Sequence, residues 1–386
     1  MLRQIFKISM MNLRNLPSRI GVSSVVVVGI GGVVGVLVAI LAMATGFQAA
    51  LASGASSDRV IVLRDGSTDE MSSSISQAQI QLVETLPGVT AQSAELYTVV
   101  DVPKIDTGTY ANLIARGVGE GAFEVRPEIE IVKGRTFEAG RTEIIAGVKA
   151  AAEFRGLEVG NDVSLRDSSW TVVGHFEAGG SAYESEIWLD FPASLNAFRR
   201  SVASSLRVRL DSPASFDALD QAIQNDPRLQ LRIQSEQSFL EGQSAGLRQI
   251  ITSFGYGVAV IMAIGALFAA LNTMYTAVST RTIEIATLRA IGFSSVPIVV
   301  SVMIEAMLLA LIGGALGALF SYIVFNGFTV ATLNPAAFSQ VAFDFQVTPE
   351  LVTLGMTWAV VIGFFGGLLP ALSAAYIPIT AALRGE

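Results

Sequence analysis

Four long apolar stretches divide this chain into one hydrophobic run, a long polar segment, and three further hydrophobic runs. They cover residues 20–47, 250–278, 296–325 and 351–376. Each exceeds the ~20 apolar residues that a helix needs to cross ~30 Å of hydrocarbon. The pattern predicts a membrane protein with four transmembrane helices in a 1+3 layout. An external α+β domain, residues 48–249, is then inserted between the first and second helices.

Composition supports that division. Hydrophobic residues make up 51% of the chain and charged residues only 15%, with the charges crowded into the polar segment. That segment holds 18 Lys and Arg against 28 Asp and Glu, an acidic balance that argues against a nucleic-acid partner. The chain has no cysteine, which removes disulfides, thiol catalysis and zinc–thiolate sites.

Orientation follows from the basic residues that flank the spans. Arg3, Lys7, Arg14 and Arg19 precede the first span, Arg281 and Arg289 lie between the second and third, and Arg384 follows the fourth. The loop 326–350 has none. The positive-inside rule therefore puts segment 1–19, loop 279–295 and tail 377–386 in the cytoplasm, with domain 48–249 and loop 326–350 outside. Ala42-Met43-Ala44 mimics a signal-peptide cleavage site, but the apolar run is longer than a signal core of ~7 to 15 residues. Arg3, Lys7 and Arg14 share one helical face, and Leu2, Phe6, Ser9 and Leu13 another. Segment 1–19 is thus either an amphipathic helix in the inner interface or a basic flank that sets topology.

Within the external domain, two short units share one design. The first reads as a strand at 59–63, a helix at 74–86 with Ile75, Leu82 and Leu86 on one face, and a strand at 96–102. Pro87-Gly88 stops its helix. The second reads as a strand at 205–210, a helix opened by Ser212-Pro213 that carries Phe216, Leu219 and Ile223, and a strand at 229–233. Such β-α-β halves form one porter-like layer. Between them, residues 112–200 read as a mostly β subdomain on top of the first, with strands at 111–116, 143–146, 162–165, 170–175 and 186–189. His175 has no second His and no Cys near it, so it reads as a packed or edge residue. The carboxylates look scattered, and no catalytic pair or metal site emerges. The chain is expected not to be an enzyme.

In the membrane half, Gly31 and Gly35, Gly313 and Gly317, and Gly363 and Gly367 form Gly-xxx-Gly steps that let helix backbones approach closely, within the subunit or between two subunits. Glu305 lies inside the third span, where a charge costs ~3 kcal/mol or more. Because no Lys or Arg lies at matching depth in the other spans, Glu305 is expected to be protonated, bonded to Asn272 or Thr273, or placed near the inner interface. It serves either as a structural anchor or in conformational coupling. The run from Arg281 to Gly292, RTIEIATLRAIG, predicts a short cytoplasmic helix. Ile283, Ala286 and Ala290 share one face, Glu284 and Leu288 lie on the next, and Gly292 is the stop.

These motifs resemble the permease subunits of ABC transporters of the FtsX and MacB kind, the mechanotransmission or type VII systems, over essentially the whole chain. Segment 281–292 resembles their coupling helix. Met303-Ile304-Glu305-Ala306 with Gly313-Gly314 and Gly317 resembles their third span. Gly367-Leu368-Leu369-Pro370-Ala371 with Ala374-Ala375 and Pro378 resembles their C-terminal signature, with Ser373 where the family often has a basic residue. The resemblance implies a permease of a bacterial inner membrane, paired with a second copy of itself or a similar chain. A cytosolic ABC ATPase would bind the ATP and Mg, and a periplasmic adaptor is a further implied partner. Arg281, Glu284, Ile285, Leu288, Arg289 and Gly292 would form the coupling segment, with Glu284, Leu288 and Arg289 at the docking contact. No Gly-xxxx-Gly-Lys-Ser/Thr run occurs, so this chain does not cradle ATP by that motif. Three functions are consistent with this reading. One is export or extraction of a hydrophobic or amphiphilic substrate, another a signalling switch acting on an external cell-wall hydrolase, and the third a receptor without an ATPase.

Overall fold

The computed structural model describes residue 10, residues 20–334 and residues 339–376. The expectations for segment 1–19, including its amphipathic face, and for tail 377–386 lie outside the described residues apart from Met10. Helix α1 (Ile20–Ala52) leads into β1 (Arg59–Arg64), α2 (Gln77–Glu84), β2 (Val89–Pro103), β3 (Tyr110–Val118), α3 (Ala122–Val125) and β4 (Glu130–Gly134). Then come β5 (Glu143–Gly147), α4 (Val148–Glu153), β6 (Asp162–Leu165), β7 (Ser168–Glu177), β8 (Glu186–Asp190), α5 (Phe191–Ala197), β9 (Ser205–Leu210), α6 (Phe216–Asn225) and β10 (Leu231–Ser235). Helix α7 (Glu236–Ser279), the short α8 (Thr282–Ala290) and α9 (Ser295–Phe325) follow. The hairpin β11 (Thr329–Asn334) and β12 (Ser339–Asp344) and helix α10 (Pro349–Tyr376) complete the order.

The chain divides into two compact units. The membrane unit contains α1 up to Thr45, residues 250–328 and the chain from Phe345 onward. Its four helices are long and apolar enough to span a bilayer. Glycine decides how they meet. A Cβ on Gly31 would stand 3.0 Å from the Gly313 carbonyl oxygen, and one on Gly317 would overlap the carbonyl of Gly31. One turn further, Ser321 Oγ donates to the Gly35 carbonyl at 2.6 Å. Nearer the N-terminal end of α9, Gly363 faces Ala310 and Gly367 faces Ala306. All three glycine steps are therefore used between helices of one subunit, where close backbone approach replaces the hydrophobic drive that lipid cannot supply.

The external unit, residues 46–249 with the hairpin of residues 329–344, contains one continuous sheet in the order β10-β1-β9-β2-β3-β8-β5-β7-β4, with β6 on β7. Strand β1 pairs antiparallel with both β10 and β9, and β9 pairs antiparallel with β2. The two β-α-β halves are thus interleaved, with β9 between β1 and β2. The β-rich insertion does not sit on top of this layer, as the sequence suggested, but extends the same sheet. The reason is the length of β2: its first part pairs with β9 over Val89 to Glu95, and the remainder with β3 over Glu95 to Pro103.

Local chemistry also corrects two helix starts. Ser76, rather than Ser74, caps α2 through a capping box: its hydroxyl accepts from Gln79 N while the Gln79 side chain accepts from Ser76 N at 2.9 Å. The helix consequently buries Ile80 and Val83. Ser212 makes no side-chain cap, because Pro213–Ser215 is a 3₁₀ turn and α6 starts at Phe216. Strand β4, with four of its five residues exposed, and the hairpin in loop 326–350 were not foreseen.

Strand alternation gives the sheet two unlike faces. Val60, Val62, Leu96, Leu113, Ala115, Ile187, Leu206 and Val208 enter the main apolar core. The intervening positions on five neighbouring strands carry Arg59, Arg207, Glu95, Arg116 and Glu186. An alternation of apolar and charged residues normally marks a face open to water. Here each of these charged residues is less than 5% exposed.

Candidate functional site

Helix α7 ends at Ser279, and the chain turns once before α8 begins. Arg281 occupies the turn, its carbonyl accepting from Ile285 N at 2.9 Å while its side chain folds back toward the third span. There Nη1 lies 3.0 Å from Glu305 Oε2 and Nη2 3.4 Å from Oε1, with both residues buried. The expectation that no cation could reach Glu305 is overturned. The arginine is not at matching depth in a span, but its long side chain extends from the helix junction to the carboxylate. Asn272 is exposed, and its carbonyl accepts from Thr276 Oγ1.

The far end of α8 is closed by a Schellman motif. Gly292 N donates to Arg289 O and Phe293 N to Leu288 O, both at 3.1 Å, with Gly292 at φ 103°. A side chain there would be strained in the left-handed region, which explains the glycine. Ile285 and Ala286 form the buried face of α8, whereas Ile283 (63% exposed), Glu284 and Thr287 point outward, and Ile291 follows at 71%. Within the coupling segment, Arg281 and Ile285 are interior residues. Ile283 and Ala286 also do not share an environment, because the helix turns Ala286 inward. Glu284 is exposed, and Leu288 and Arg289 are half-buried.

A second constellation lies on the covered face of the external sheet. Arg116 binds Glu186 through Nε at 2.7 Å and Nη2 at 2.9 Å, Glu95 at 2.8 Å and Glu70 at 2.9 Å. Arg126, fully buried, meets Glu95 at 2.6 Å and lies 4.7 Å over the Tyr183 ring. Arg207 reaches Glu70 at 3.3 Å and Glu236 at 3.1 Å. The carboxylates that look scattered in the sequence therefore converge, each within ion-pair distance of at least one guanidinium group. His175 Nε2 lies 2.7 Å from the Leu157 carbonyl, a packed position.

Burial alone would push the Glu70 carboxyl up, but Arg116 and Arg207 outweigh it and hold it at about 2, below its ordinary 4.5. Glu95 is likewise pushed up by burial and brought below its ordinary range by Arg126 and Arg116. A depressed carboxylate contributes stability that is present above its unfolded pKa and is lost as pH falls through the folded one. Urea unfolding of the full chain, followed by tryptophan fluorescence, is therefore expected to show stability falling between about pH 5 and pH 2. Glu70→Gln should flatten that slope, and an unchanged slope would contradict the assignment.

A four-helix membrane unit joined to a large external α/β unit defines a multi-pass membrane protein with an external domain. Residues 23–226 match the MacB-like periplasmic core domain, and residues 256–379 match the FtsX-like permease C-terminal domain. The chain belongs to the FtsX/MacB-like family of ABC transporter permeases. The macrolide export ATP-binding/permease protein MacB of Vibrio parahaemolyticus serotype O3:K6 is 27% identical over 379 residues, covering 84% of this chain and 55% of the relative. MacB of Escherichia coli is 29% identical over 291 residues, covering 70% and 43%. The chain spans about half the length of these curated relatives. Among solved structures, the extracellular domain of the noncanonic ABC-type transporter YknZ from Gram-positive bacteria aligns at 16% identity and TM-score 0.37, over 46% of this chain and 99% of that domain. The periplasmic region of MacB from Actinobacillus actinomycetemcomitans aligns at 12% identity and TM-score 0.38, over 49% and 94%.

Proposed function

We propose that this chain is the membrane subunit of an ABC transporter in which a separate cytosolic ATPase binds ATP and Mg, and this chain turns that event into motion of its external domain. Both termini and α8 lie on the cytoplasmic side, as the flanking arginines favour. The motion exports or extracts a hydrophobic or amphiphilic substrate from the outer leaflet or the external space, with two copies of the chain acting together and an adaptor protein receiving the cargo. One observation carries the reading. Helix α8 presents exposed Ile283, Glu284 and Thr287, while the Arg281–Glu305 pair at its start holds it to the third span. A docked partner thus has apolar anchors to grip and a buried ionic contact that passes displacement into the membrane unit. An apolar groove of about 680 Å³ between α1 and α9, lined by residues such as Val28, Gly32, Met43, Leu316 and Phe320, suits an acyl chain rather than a hydrophilic cargo.

The test is Glu284→Lys with Arg289→Glu in the full chain purified from its native membranes in mild detergent. The unsubstituted chain is expected to retain a Walker-motif ATPase. The double variant should lose it while still inserting and pairing with its second copy. Retention of the ATPase by the variant would refute the docking assignment, and failure to recover any ATPase with the unsubstituted chain would favour a stand-alone receptor.

A further inference from the structure

Glu236 is the first residue of α7 and is 1% exposed. Its Oε2 lies 2.7 Å from Arg59 Nε, its Oε1 lies 3.1 Å from Arg207 Nη1 and 4.0 Å from Arg126 Nε, and the Tyr183 hydroxyl donates to it at 3.0 Å. Those partners come from separate parts of the sheet. Arg59 is on β1, Arg207 on β9, Arg126 follows α3, and Tyr183 precedes β8. Next to Glu236, Phe239 and Leu240 pack on Ile61 and Leu63, and the Arg207 guanidinium lies 5.5 Å over the Phe239 ring. From Glu241 to Gln249 the helix is exposed or half-exposed apart from Ser244. Its grip on the sheet is thus concentrated in its first turn.

An apolar contact tolerates sliding, because dispersion and burial are nondirectional. A buried carboxylate bound by several fixed donors does not, since each displacement leaves a charge unpaired. We propose that Glu236 is a positioning residue that fixes the start of α7 to the external sheet, so that displacement of this helix carries the sheet with it instead of sliding across it. The inference rests on the motor reading given above and names the residue through which that motion enters the external domain.

Because the chain has no cysteine, spin labels can be placed at will. In the full complex in lipid nanodiscs, labels on the exposed positions Asp65 and Glu241 report the distance between the sheet and the helix. A single label at Asp65 reports the separation of the two copies with and without trapped ATP. With Glu236 intact, the Asp65–Glu241 distance should be narrow and unaffected by ATP, while the separation of the copies changes. In Glu236→Gln the first distance should broaden and the ATP-driven change in separation should be lost, although ATP turnover continues. Glu128→Gln, which removes the partly exposed carboxylate that also pairs with Arg59 at 2.6 Å without touching α7, should leave both readings as they were. If Glu236→Gln does not accumulate, Tyr183→Phe removes one donor and no charge, and should broaden the same distance. A narrow distance in Glu236→Gln, or equal disruption by Glu128→Gln, overturns the proposal. No ATP-driven change with Glu236 intact would instead refute the motor reading, and the Asp65–Glu241 distance would still decide on the anchor.

Discussion

Replacing Glu95 with Gln is expected to destabilise the external domain by about 3–5 kcal/mol, a large fraction of the ~5–15 kcal/mol that holds an ordinary domain folded. Glu95 is completely buried and binds both Arg126 and Arg116. Its neutral isostere fills the same space but leaves those guanidinium groups short of one negative charge. The expected loss is therefore electrostatic and not a packing defect. Arg59, Arg116, Arg126 and Arg207 are balanced by Glu70, Glu95, Glu186 and Glu236. An apolar core of equal volume could match or exceed the stability of such a cluster, but removing one member leaves an uncompensated charge in low dielectric. Thermal unfolding of the full chain in detergent, followed through the emission of buried Trp188, checks the prediction. A Glu95→Gln protein that unfolds with the unsubstituted chain would show that water reaches the cluster and compensates it.

The second large effect belongs to the membrane unit. Arg281→Met should destabilise that unit by about 3–5 kcal/mol, because Glu305 would remain buried in the third span without its cation. Exchanging the pair, Arg281→Glu with Glu305→Arg, should recover part of the loss. The double-mutant cycle should give a coupling of about 0.5–3 kcal/mol. Yield of monodisperse protein and its resistance to heating in detergent are the readouts. Additive losses in the cycle would mean that each residue is held by something other than its partner.

How much of this could be read from the residues differs between the two units, for physical reasons. The spans were legible because a long apolar run has few alternatives in water. The glycine steps also pointed at close helix contacts, but which helices meet depends on tertiary packing, so the Gly31–Gly313 approach was not readable. In the external domain, the local signals of β1, β9 and α6 were strong. The covered face was not, because Leu206-Arg207-Val208-Arg209 has the pattern of a strand half open to water. The groups that neutralise Arg207 come from residues 70 and 236, far away in the chain. The pairing of Arg281 with Glu305 escaped the sequence for a related reason. Depth was reckoned along the helices, whereas an arginine side chain carries its charge several ångströms from its own backbone.

The shared strand β2 has a consequence for how such a protein can change over time. The charge-bearing strands β1, β9, β2, β3 and β8 are consecutive neighbours, whereas β5, β7 and β4 continue beyond them to a short, exposed margin that carries Lys133. Short, charged margins resist unwanted pairing with other strands. The outer domain can therefore gain or lose strands at that margin while the ion-paired strands keep their partners. Strand order alone thus separates the edge that is free to change from the buried charges that are not.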